Sequence, residues 1–600
     1  MSNILTQLNP RQQEAVCFGE GPLLVLAGPG SGKTRVLTYR AAWLIQEKQV
    51  APENILLLTF TNKAAEEMKK RIQKLIGATP ALAGTFHSFC ARILRIEGKS
   101  LGLPPNYLIY DQKDQLDTIK LAMKEIDIPT TEFKPAAILA TISQAKNELI
   151  TALEYPQYAQ GYFQTTVARV YLTYQRFLKE YQALDFDDLL TETVRLFKKE
   201  KSILAKYQNR FQYILVDEYQ DTNQAQYVIT HLLAGLWHNL TVVGDASQAI
   251  YGFRGANFRN LTNLKKDYPN LKTVNLEQNY RSTQNILSAA NEVIKINSSH
   301  PVLNLWTKNG TGELVVLYEA RNEQDEALYV AQTITNYTLN ANPYPLNSFA
   351  VLYRTNAQSR VIEEVFLHAG IAYTLVGGTR FYERKEIKDC LAYLRLIANP
   401  KDIVSYKRIE KLGKRRLAKF LNFSSKVKPE KLTTLELLDK ILEITGYFEL
   451  YNQKDEEDLS RLENLKELRS VATEFPKLND FLENVALVEQ EYHGKEKGET
   501  VTLMTVHAAK GTEFPIVFLV GMEEGLFPHS RSIMEKEEIE EERRLCYVGM
   551  TRAKEKLYLT YTRRRLYFGQ HSSNPVSRFI SDIPPELLEF VNQKSEDLSI

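Results

Sequence analysis

Eight consecutive residues near the N-terminus have the composition of a phosphate-binding loop. The segment 27–34, AGPGSGKT, begins at the end of the apolar run PLLVLAG (22–28) and ends at the start of TRVLTYRAAWLIQ (34–46), whose apolar residues recur at helical spacing. Glycine allows the tight turn in which backbone N–H groups at a helix N-terminus point at an anion. We expect Lys33 to reach the β- and γ-phosphates of a nucleoside triphosphate and Thr34 to bind Mg²⁺. The expected nucleotide-binding residues in this loop are Ala27, Gly28, Pro29, Gly30, Ser31, Gly32, Lys33 and Thr34.

A second motif, ILVDEYQD at 214–221, supplies the acidic groups that such a loop requires. Its apolar run predicts a strand that ends at Asp217, and ligands of open α/β sheets bind at the carboxyl ends of strands. Asp217 would hold Mg²⁺, directly or through water, and Glu218 would orient and deprotonate the attacking water. The alternative for this motif alone is an acidic strand end before a loop. Together with the loop at 27–34, it favours a nucleoside triphosphatase.

Two regions of alternating strands and helices position these motifs. Strand-like runs at 22–28, 54–60, 213–217 and 240–245 alternate with helical patterns, but the stretch from about 104 to 185 is helical. The second region begins near 273 and is interrupted by a helical, Lys/Glu-rich stretch. The expected fold is α/β, with two parallel-sheet P-loop domains that each contain a mainly helical insertion. The expected segments are 1–103, 104–188 and 189–272 for the first domain, and 273–378, 379–497 and 498–600 for the second.

Composition excludes several other classes of protein. The 600 residues are too many for one core and suggest about four domains. No apolar run approaches the roughly 18 residues of a membrane span, and no secretory signal is visible. The four cysteines lack C-x-x-C spacing, which argues against a zinc site or a disulfide framework and fits a cytoplasmic protein. Because the net charge is only +2, any nucleic acid would be bound by local basic and aromatic groups.

Further blocks, in order along the chain, resemble one family, the UvrD/Rep/PcrA-type superfamily 1 DNA helicases. These blocks run from LNPRQQEAV at residue 8, through GDASQAIYGFRGAN and LEQNYRST, to TVHAAKGTEFPIVFLVG and VGMTRAKEKLYL. The resemblance implies two RecA-like domains with helical insertions. It also implies ATP- and Mg²⁺-dependent translocation 3′→5′ on single-stranded DNA and unwinding at single-strand/duplex junctions, in DNA repair or replication.

The resemblance also assigns nucleotide contacts outside the first two motifs. They are Gln12 and Tyr280 at the adenine, Glu513 at the ribose, and Gln248, Arg281 and the arginine finger Arg552 at the γ-phosphate. An arginine finger contributes about 10³–10⁵ in rate across P-loop enzymes. Since Arg552 and Lys33 fall in different core domains, the resemblance implies that ATP binds between the domains and that hydrolysis requires closure.

Single strands are bound by aromatic platforms and a basic groove, and candidates for both lie inside the motifs. The expected DNA contacts are Phe60, Asn62, Thr85, His87, Tyr251, Phe253, Arg254, Arg354, Asn356, Arg360, His507 and Lys510. For Phe60 the alternative is core packing, and for His87 it is a structural histidine.

Several positions depart from the family pattern. Ala27 replaces the usual first glycine of the loop, Ser247 stands where an acidic residue is common, and Thr512 replaces a leucine. The second insertion looks short, and 407–421 resembles a trimmed helical hairpin. Its basic residues could contact duplex phosphates or form a plain basic helix surface; they are Lys411, Lys414, Arg415 and Arg416.

We expect no nuclease-like domain after 580, and this expectation weighs against a helicase–nuclease. The sequence leaves two alternative functions open besides that of a helicase. One is a translocase that removes proteins from single strands but unwinds poorly. The other is an ATP-gated DNA-binding scaffold without productive hydrolysis.

Overall fold

A computed structural model describes residues 4–77, 82–130, 132–252, 255–452, 456–491, 498–567 and 569–591. The chain divides into two compact units, which are described separately below. The first unit comprises Met1–Arg281 and His300–Thr307, and the second comprises Ser282–Ser299 and Lys308–Ile600. This division differs from the predicted one at 272/273, because the strand Lys272–Leu276 pairs with Leu23–Ala27 of the first unit.

The first unit is built on a six-stranded parallel sheet of order β3-β2-β6-β7-β1-β8. Its strands are β1 (Leu23–Ala27), β2 (Ile55–Thr59), β3 (Leu82–Thr85), β6 (Tyr213–Val216), β7 (Leu240–Gly244) and β8 (Lys272–Leu276). Two further parallel pairs lie outside this sheet: β4 (Leu108–Tyr110) with β5 (Ala183–Asp185), and β9 (Gln278–Asn279) with β10 (Trp306–Thr307). The inner strands are mainly apolar and almost fully buried because helices cover both faces of a parallel sheet.

Eleven α-helices lie within the described residues of this unit. They are α1 (Pro10–Val16), α2 (Lys33–Gln46), α3 (Asn62–Ile76), α4 (Phe86–Glu97), α5 (Gln112–Glu125), α6 (Pro135–Asn147), α7 (Gly161–Glu180), α8 (Phe186–Lys199), α9 (Lys201–Arg210), α10 (Gln224–Ala234) and α11 (Arg259–Asp267). Helices α5 to α7 form the predicted insertion and share a core of their own, which includes Ile119, Ile142 and Tyr174.

A buried ion cluster joins this insertion to the start of α8. Lys146 Nζ on α6 lies 2.6 Å from Asp185 Oδ2 and 2.7 Å from Asp188 Oδ1, and all three side chains are buried. The hydroxyl of Tyr174 also donates to Asp185 at 2.9 Å. Asp185 and Asp188 form the capping box of α8, so the cluster fixes where that helix begins.

The second unit is built on a seven-stranded parallel sheet of order β13-β14-β12-β15-β16-β11-β19. Its strands are β11 (Val315–Ala320), β12 (Phe349–Tyr353), β13 (Tyr373–Val376), β14 (Val501–Thr505), β15 (Phe514–Leu519), β16 (Ala553–Thr562) and β19 (Leu588–Val591). A short antiparallel pair, β17 (Arg565–Tyr567) and β18 (Gln570–Ser572), stands apart.

The described helices of the second unit fall into two groups. Those around the sheet are α12 (Gln284–Ile294), α13 (Glu323–Leu339), α14 (Ser359–His368), α21 (Lys536–Met550) and α22 (Arg578–Ser581). Those of the insertion are α15 (Lys385–Ala398), α16 (Ile403–Glu410), α17 (Lys414–Ser424), α18 (Thr434–Thr445), α19 (Glu456–Glu474) and α20 (Leu478–Glu491), and they share a separate core. The predicted α/β class, with two parallel sheets and helical insertions, is confirmed.

Across the described ranges, no helix combines the length and the apolar character needed to cross a bilayer.

Candidate nucleotide and DNA sites

One edge of the first sheet carries nearly all the predicted site residues of the first unit. The loop 28–32 follows β1, Asp217 follows β6, Gln248 follows β7, and Tyr280 follows β8. Phe60 and His87, by contrast, follow the two strands at the other end of the sheet, β2 and β3. Strand order therefore places these two DNA candidates at one end of the sheet edge, with Asp217 on the strand between them and the other nucleotide candidates. The backbone N–H of Asp217 donates to Leu58 O on β2 at 3.0 Å.

The phosphate loop has the backbone that its glycines predict. Gly30 and Gly32 have φ values of +65° and +90°, a region that favours glycine. A Cβ on Gly30 would lie 2.7 Å from the Cβ of Arg281, so the segment after β8 packs directly on the loop. Lys33 begins the 14-residue helix α2, and its Nζ lies 3.4 Å from Ala27 O. Ala27 itself is the buried last residue of β1, where glycine is not required.

The two residues predicted to bind Mg²⁺ meet in the structure. Thr34 Oγ1 donates to Asp217 Oδ2 at 3.3 Å. Burial raises the pKa of Asp217 to about 7, the neighbouring charge of Glu218 adds to this, and Lys33 opposes it. A buried carboxylate whose charged form is destabilised in this way fits a site that is completed by a cation.

Glu218 has an unusual backbone conformation for a side chain of its type. Its φ is +50° and its ψ is 43°, the left-handed region that non-glycine residues adopt at a cost of about 1–3 kcal/mol. Gln220 Nε2 donates to Glu218 Oε2 at 2.5 Å. This hydrogen bond aims the carboxylate from the adjacent turn, as a positioned general base requires.

Gln248 belongs to the same polar network. Its Nε2 donates to Asp245 Oδ2 at 2.5 Å, and the backbone N–H of Asp245 donates to Gln220 Oε1 at 3.0 Å. Burial raises the pKa of Asp245, while the charge of Lys33 lowers it. A chain of hydrogen bonds thus runs from Glu218 through Gln220 and Asp245 to Gln248.

Gln12 and Tyr280, the residues predicted at the adenine, lie on opposite sides of one asparagine. Asn9 Oδ1 accepts from Gln12 N at 2.7 Å, and Asn9 Nδ2 donates to the Tyr280 hydroxyl at 2.7 Å. Gln12 Nε2 donates to Ser31 O of the phosphate loop at 2.9 Å. The Tyr280 side chain is about half exposed, and its backbone N–H donates to Gly30 O. Both residues therefore border the loop, where a nucleobase would lie.

The DNA candidates of the first unit differ in how accessible they are. Phe60 is half-buried and meets Phe86 edge to face, whereas Asn62 is exposed at the first turn of α3. Thr85 is buried and caps α4, since its Oγ1 accepts from Ser88 N. Burial lowers the pKa of His87, so its ring is neutral at pH 7.

Three more DNA candidates follow β7. Tyr251 is half-buried, and its carbonyl accepts from Ala256 N at 3.3 Å. Phe253 and Arg254 lie outside the described residues.

In the second unit, two DNA candidates at the carboxyl edge of the sheet, Arg354 and His507, both act on the carboxylate of Glu542. Arg354, after β12, forms a bidentate ion pair with Glu542 of α21, with distances of 2.7–3.1 Å. Burial raises the pKa of Glu542, but Arg354, a hydrogen bond from His529 N and the charge of His507 together lower it below its usual value. His507 and Lys510 lie in the half-buried turn after β14.

Arg360 occupies a different environment from Arg354. It is fully buried on α14 and forms ion pairs with Glu364, Glu467 and Glu474, the last two on α19. Because the guanidinium of Arg360 has no exposed surface, direct contact with DNA is disfavoured. Its ion pairs instead attach α14 to the insertion. Asn356 lies near the same junction, with its Nδ2 3.4 Å from Ser460 Oγ.

Glu513 and Arg552 lie together at the amino edge of β15 and β16. Glu513 is exposed and its Oε1 pairs with Lys554 Nζ at 2.8 Å. Arg552 is buried, and its guanidinium donates to the carbonyls of Val548 and Thr512. The hydroxyl of Thr512 donates to Ala509 O at 2.7 Å, which explains how a polar side chain is accommodated where the family usually has leucine.

The basic segment of the second insertion forms two helices, α16 and α17, joined at Gly413, whose φ is +120°. Lys411, Lys414 and Arg415 are exposed there, and Arg416 is half-buried, with its Nη1 donating to Leu412 O. A helix–glycine–helix hairpin with an exposed basic turn is the arrangement that 407–421 predicts.

Two models of protein domains match almost the whole chain. The UvrD/REP helicase N-terminal domain matches residues 8–269, and the UvrD-like helicase C-terminal domain matches residues 274–445 and 419–564. This chain belongs to the UvrD/REP helicase family. The resemblance recognised in the sequence is confirmed.

Relatives of this UvrD/REP helicase-family chain include bacterial proteins named ATP-dependent DNA helicase PcrA. The Bacillus subtilis (strain 168) protein is 47% identical, over 99% of this chain and 88% of the relative. The Staphylococcus aureus (strain Mu50) protein is 46% identical, over 98% and 88%, and the Staphylococcus epidermidis protein is 45% identical, over 100% and 89%.

Sequence reasoning missed four residues that the structure places in the candidate sites of this UvrD/REP helicase-family chain. Gln220 and Asp245 link Glu218 to Gln248, as described above. Asn279 fixes the segment after β8, because its Nδ2 donates to Pro29 O and its Oδ1 accepts from Arg281 N, each at 2.7 Å. All three are polar residues inside blocks that the sequence had already singled out, which is the signal that could have found them.

The fourth missed residue, Phe186, is an aromatic at the first turn of α8. Its side chain is about half exposed and meets His87 edge to face at 5.9 Å between ring centres. The capping box of Asp185 and Asp188 and the pairing of both with Lys146 fix the helix start that presents it. An exposed ring beside a DNA candidate makes Phe186 a further candidate for stacking on a base.

Phe186→Ala is expected to weaken single-stranded DNA binding by about 1–3 kcal/mol, or roughly 5- to 150-fold in Kd, because one base loses its stacking partner. Fluorescence anisotropy with labelled oligo-dT measures this change. Phe186→Tyr keeps a ring and should bind nearly as tightly as the natural chain. Phe163→Ala, at an exposed ring on α7, is the matched control. An unchanged Kd for Phe186→Ala would remove this residue from the interface.

Proposed function

We propose that this chain is an ATP-dependent helicase that moves 3′→5′ along single-stranded DNA and unwinds duplex DNA, in DNA repair or replication. The observation that carries the proposal is the order of strands in the first sheet. Asp217 and Glu218 end the strand next to β2, which leads directly to Phe60. The groups proposed for hydrolysis and for DNA contact thus follow adjacent strands. A small shift at the end of one strand would therefore move the end of the other. The names of the bacterial relatives support the same function.

The first unit supplies the groups that phosphoryl transfer requires. Backbone N–H groups of the loop and Lys33 bind the phosphates, and Glu218 takes the proton of the attacking water. Gln248 and Arg281 then stabilise charge on the γ-phosphate. The roles of Glu513 and Arg552, as ribose contact and arginine finger, remain predictions about the second unit.

Thr34 and Asp217 are the residues that would hold Mg²⁺. Their 3.3 Å contact and the buried carboxylate fit this ion, which keeps several water ligands and needs few protein oxygens. When bound, Mg²⁺ neutralises charge on the β- and γ-phosphate oxygens.

Stacking energies fit a device that competes with the duplex for bases. An aromatic platform holds a base with about 1–3 kcal/mol. A DNA base-pair step is worth about 1.4 kcal/mol on average. Platforms such as Phe60 and Phe186 can therefore capture a base that frays from the duplex without trapping it. Nucleotide-dependent changes in these platforms would move bases by one site per cycle.

The exposed basic turn at Gly413 supports contact with the duplex side of a junction. Lys411, Lys414 and Arg415 are exposed on a helical hairpin, and cations of this kind bind phosphates without reading the base sequence. We therefore assign them to sequence-independent binding.

The test of this function is ATP hydrolysis with and without single-stranded DNA, together with strand displacement on duplexes that carry a 3′ or a 5′ tail. We expect DNA to stimulate hydrolysis, and displacement only from the 3′-tailed duplex. Hydrolysis that ignores DNA would contradict the proposal. Displacement that prefers a 5′ tail would contradict the polarity alone.

A second candidate, a translocase that strips proteins and unwinds poorly, is favoured by the second insertion, which the sequence predicts to be short. The match to the Bacillus subtilis relative spans 654 positions, which exceeds the 600 residues here, so at least 54 positions of the relative face a gap. A streptavidin-displacement assay on biotinylated single strands, run beside the tailed duplex, separates the two candidates. Fast displacement of streptavidin with little unwinding would favour the translocase.

A further inference from the structure

Arg40 is a fully buried cation on the helix that begins with Lys33. It lies seven residues, or two turns, after Lys33 on α2. No carboxylate among the described residues forms an ion pair with it. Instead, its donors meet main-chain oxygens and one hydroxyl: Nη1 donates to Ala15 O, Val16 O and Phe18 O at 2.6–3.2 Å, Nη2 to Gly19 O at 3.2 Å, and Nε to Thr241 Oγ1 at 2.9 Å.

These carbonyls belong to the end of α1 and the turn that follows it. The last carbonyls of a helix have no partner inside the helix, and a cation there is favoured. Burial lowers the pKa of Arg40 to about 10, which leaves it charged at neutral pH. The guanidinium therefore ties the last turn of α1 to α2 through several directed bonds.

The other end of α1 is held beside the nucleobase candidates. Asn9 forms a capping box with Gln12 and donates to the hydroxyl of Tyr280. Since α1 has only seven residues, its orientation depends on the contacts at its two ends. Arg40 binds the C-terminal end of α1, which is remote from the nucleobase candidates, and Asn9 caps the N-terminal end beside them.

We propose that Arg40 is a positioning residue for base recognition. It sets α1, which carries Gln12, against α2, which carries Lys33 and Thr34. The amide of Gln12 and the phosphate-binding groups thereby keep one fixed separation. The proposal deepens the function proposed above and rests on it for the role of Gln12.

A purely structural role for Arg40 makes a different prediction. Loss of a buried guanidinium would then lower the melting temperature and leave the preference for adenine unchanged. Base selectivity is therefore the readout, and stability is measured beside it. Met68→Ala is the matched control, because Met68 is fully buried in the same core but lies on α3.

The experiment measures Kd for the non-hydrolysable analogues of ATP and GTP by calorimetry on the full chain, so that it does not depend on turnover. We expect the natural chain to prefer the adenine analogue. Arg40→Lys, which keeps the charge but reaches fewer carbonyls, should reduce that preference by about tenfold, the worth of one well-placed hydrogen bond. Gln12→Ala should reduce it as much, and the double variant should lose no more than either.

Three results would overturn the proposal. One is a natural chain without preference between the analogues. Another is Arg40→Lys with a lowered melting temperature but intact preference, as expected for Met68→Ala. The third is a double variant whose losses multiply, since Arg40 would then act independently of Gln12. If selectivity behaves as expected but ATP is not hydrolysed, the proposed function fails and this inference stands.

Discussion

Lys33→Ala is expected to reduce DNA-stimulated ATP hydrolysis by at least about 10²–10³-fold, the cost of removing one preorganised group that stabilises developing charge. Lys33 begins α2 at the glycine turn, so its ammonium would meet the β- and γ-phosphates of a nucleotide bound at the helix N-terminus. Phosphate release in a coupled steady-state assay measures the effect. Turnover within a few-fold of the natural chain would refute the assignment of the loop.

The same substitution also removes a positive charge that stabilises the ionised form of two buried carboxylates. Lys33 lowers the pKa of Asp217 and of Asp245, which burial raises. Lys33→Arg keeps this charge but replaces a compact ammonium with a wide planar group, so it should stay folded and still fail to hydrolyse ATP. Lys48→Ala, at an exposed residue just after α2, is the control for loss of a lysine.

The parts of the site that the sequence predicts well are local. Asp217 stands directly after an apolar strand, Lys33 and Thr34 follow another one after a five-residue loop, and the carboxyl ends of parallel strands share one edge. Their convergence therefore needs only the correct strand assignment. The 3.3 Å contact between Thr34 and Asp217, 183 residues apart in sequence, follows from that rule.

The order of strands is not local and could not be read from the sequence. That β6 lies between β2 and β7 decides that Asp217 neighbours Leu58, and the pairing depends on packing across the whole sheet. The predicted boundary at 272/273 and the limits of the compact units differ for the same reason. The strand Lys272–Leu276 alternates polar and apolar residues, and only its pairing with β1 assigns it to the first sheet.

Burial separates residues that share one motif. In VLYRTNAQSR, Arg354 and Arg360 are equally plausible as DNA contacts by type. Arg360 lies on the face of α14 toward Glu467 and Glu474, which are more than 100 residues away in sequence. Its guanidinium is fully engaged in ion pairs with these carboxylates. Only the docking of α19 reveals this, because no local pattern links the two segments.

Glu218→Gln is the second variant for which we expect a large effect, a loss of about 10²–10⁴-fold in hydrolysis with nucleotide binding retained. Glutamine has nearly the same shape but cannot accept the proton of the attacking water. The strained backbone at this position and the 2.5 Å bond from Gln220 hold the side chain in place, so the variant tests chemistry rather than geometry.

Nucleotide binding should even be strengthened in this variant. The charge of Glu218 raises the pKa of Asp217, so its removal lets that pKa fall and keeps Asp217 ionised for Mg²⁺ at neutral pH. Single-turnover hydrolysis and calorimetric Kd for ATP with Mg²⁺ separate the two effects. Glu53→Gln, at an exposed glutamate before β2, is the control. Hydrolysis within about threefold of the natural chain would show that another group takes the proton, and a weakened Kd would show that Glu218 helps to hold the cation.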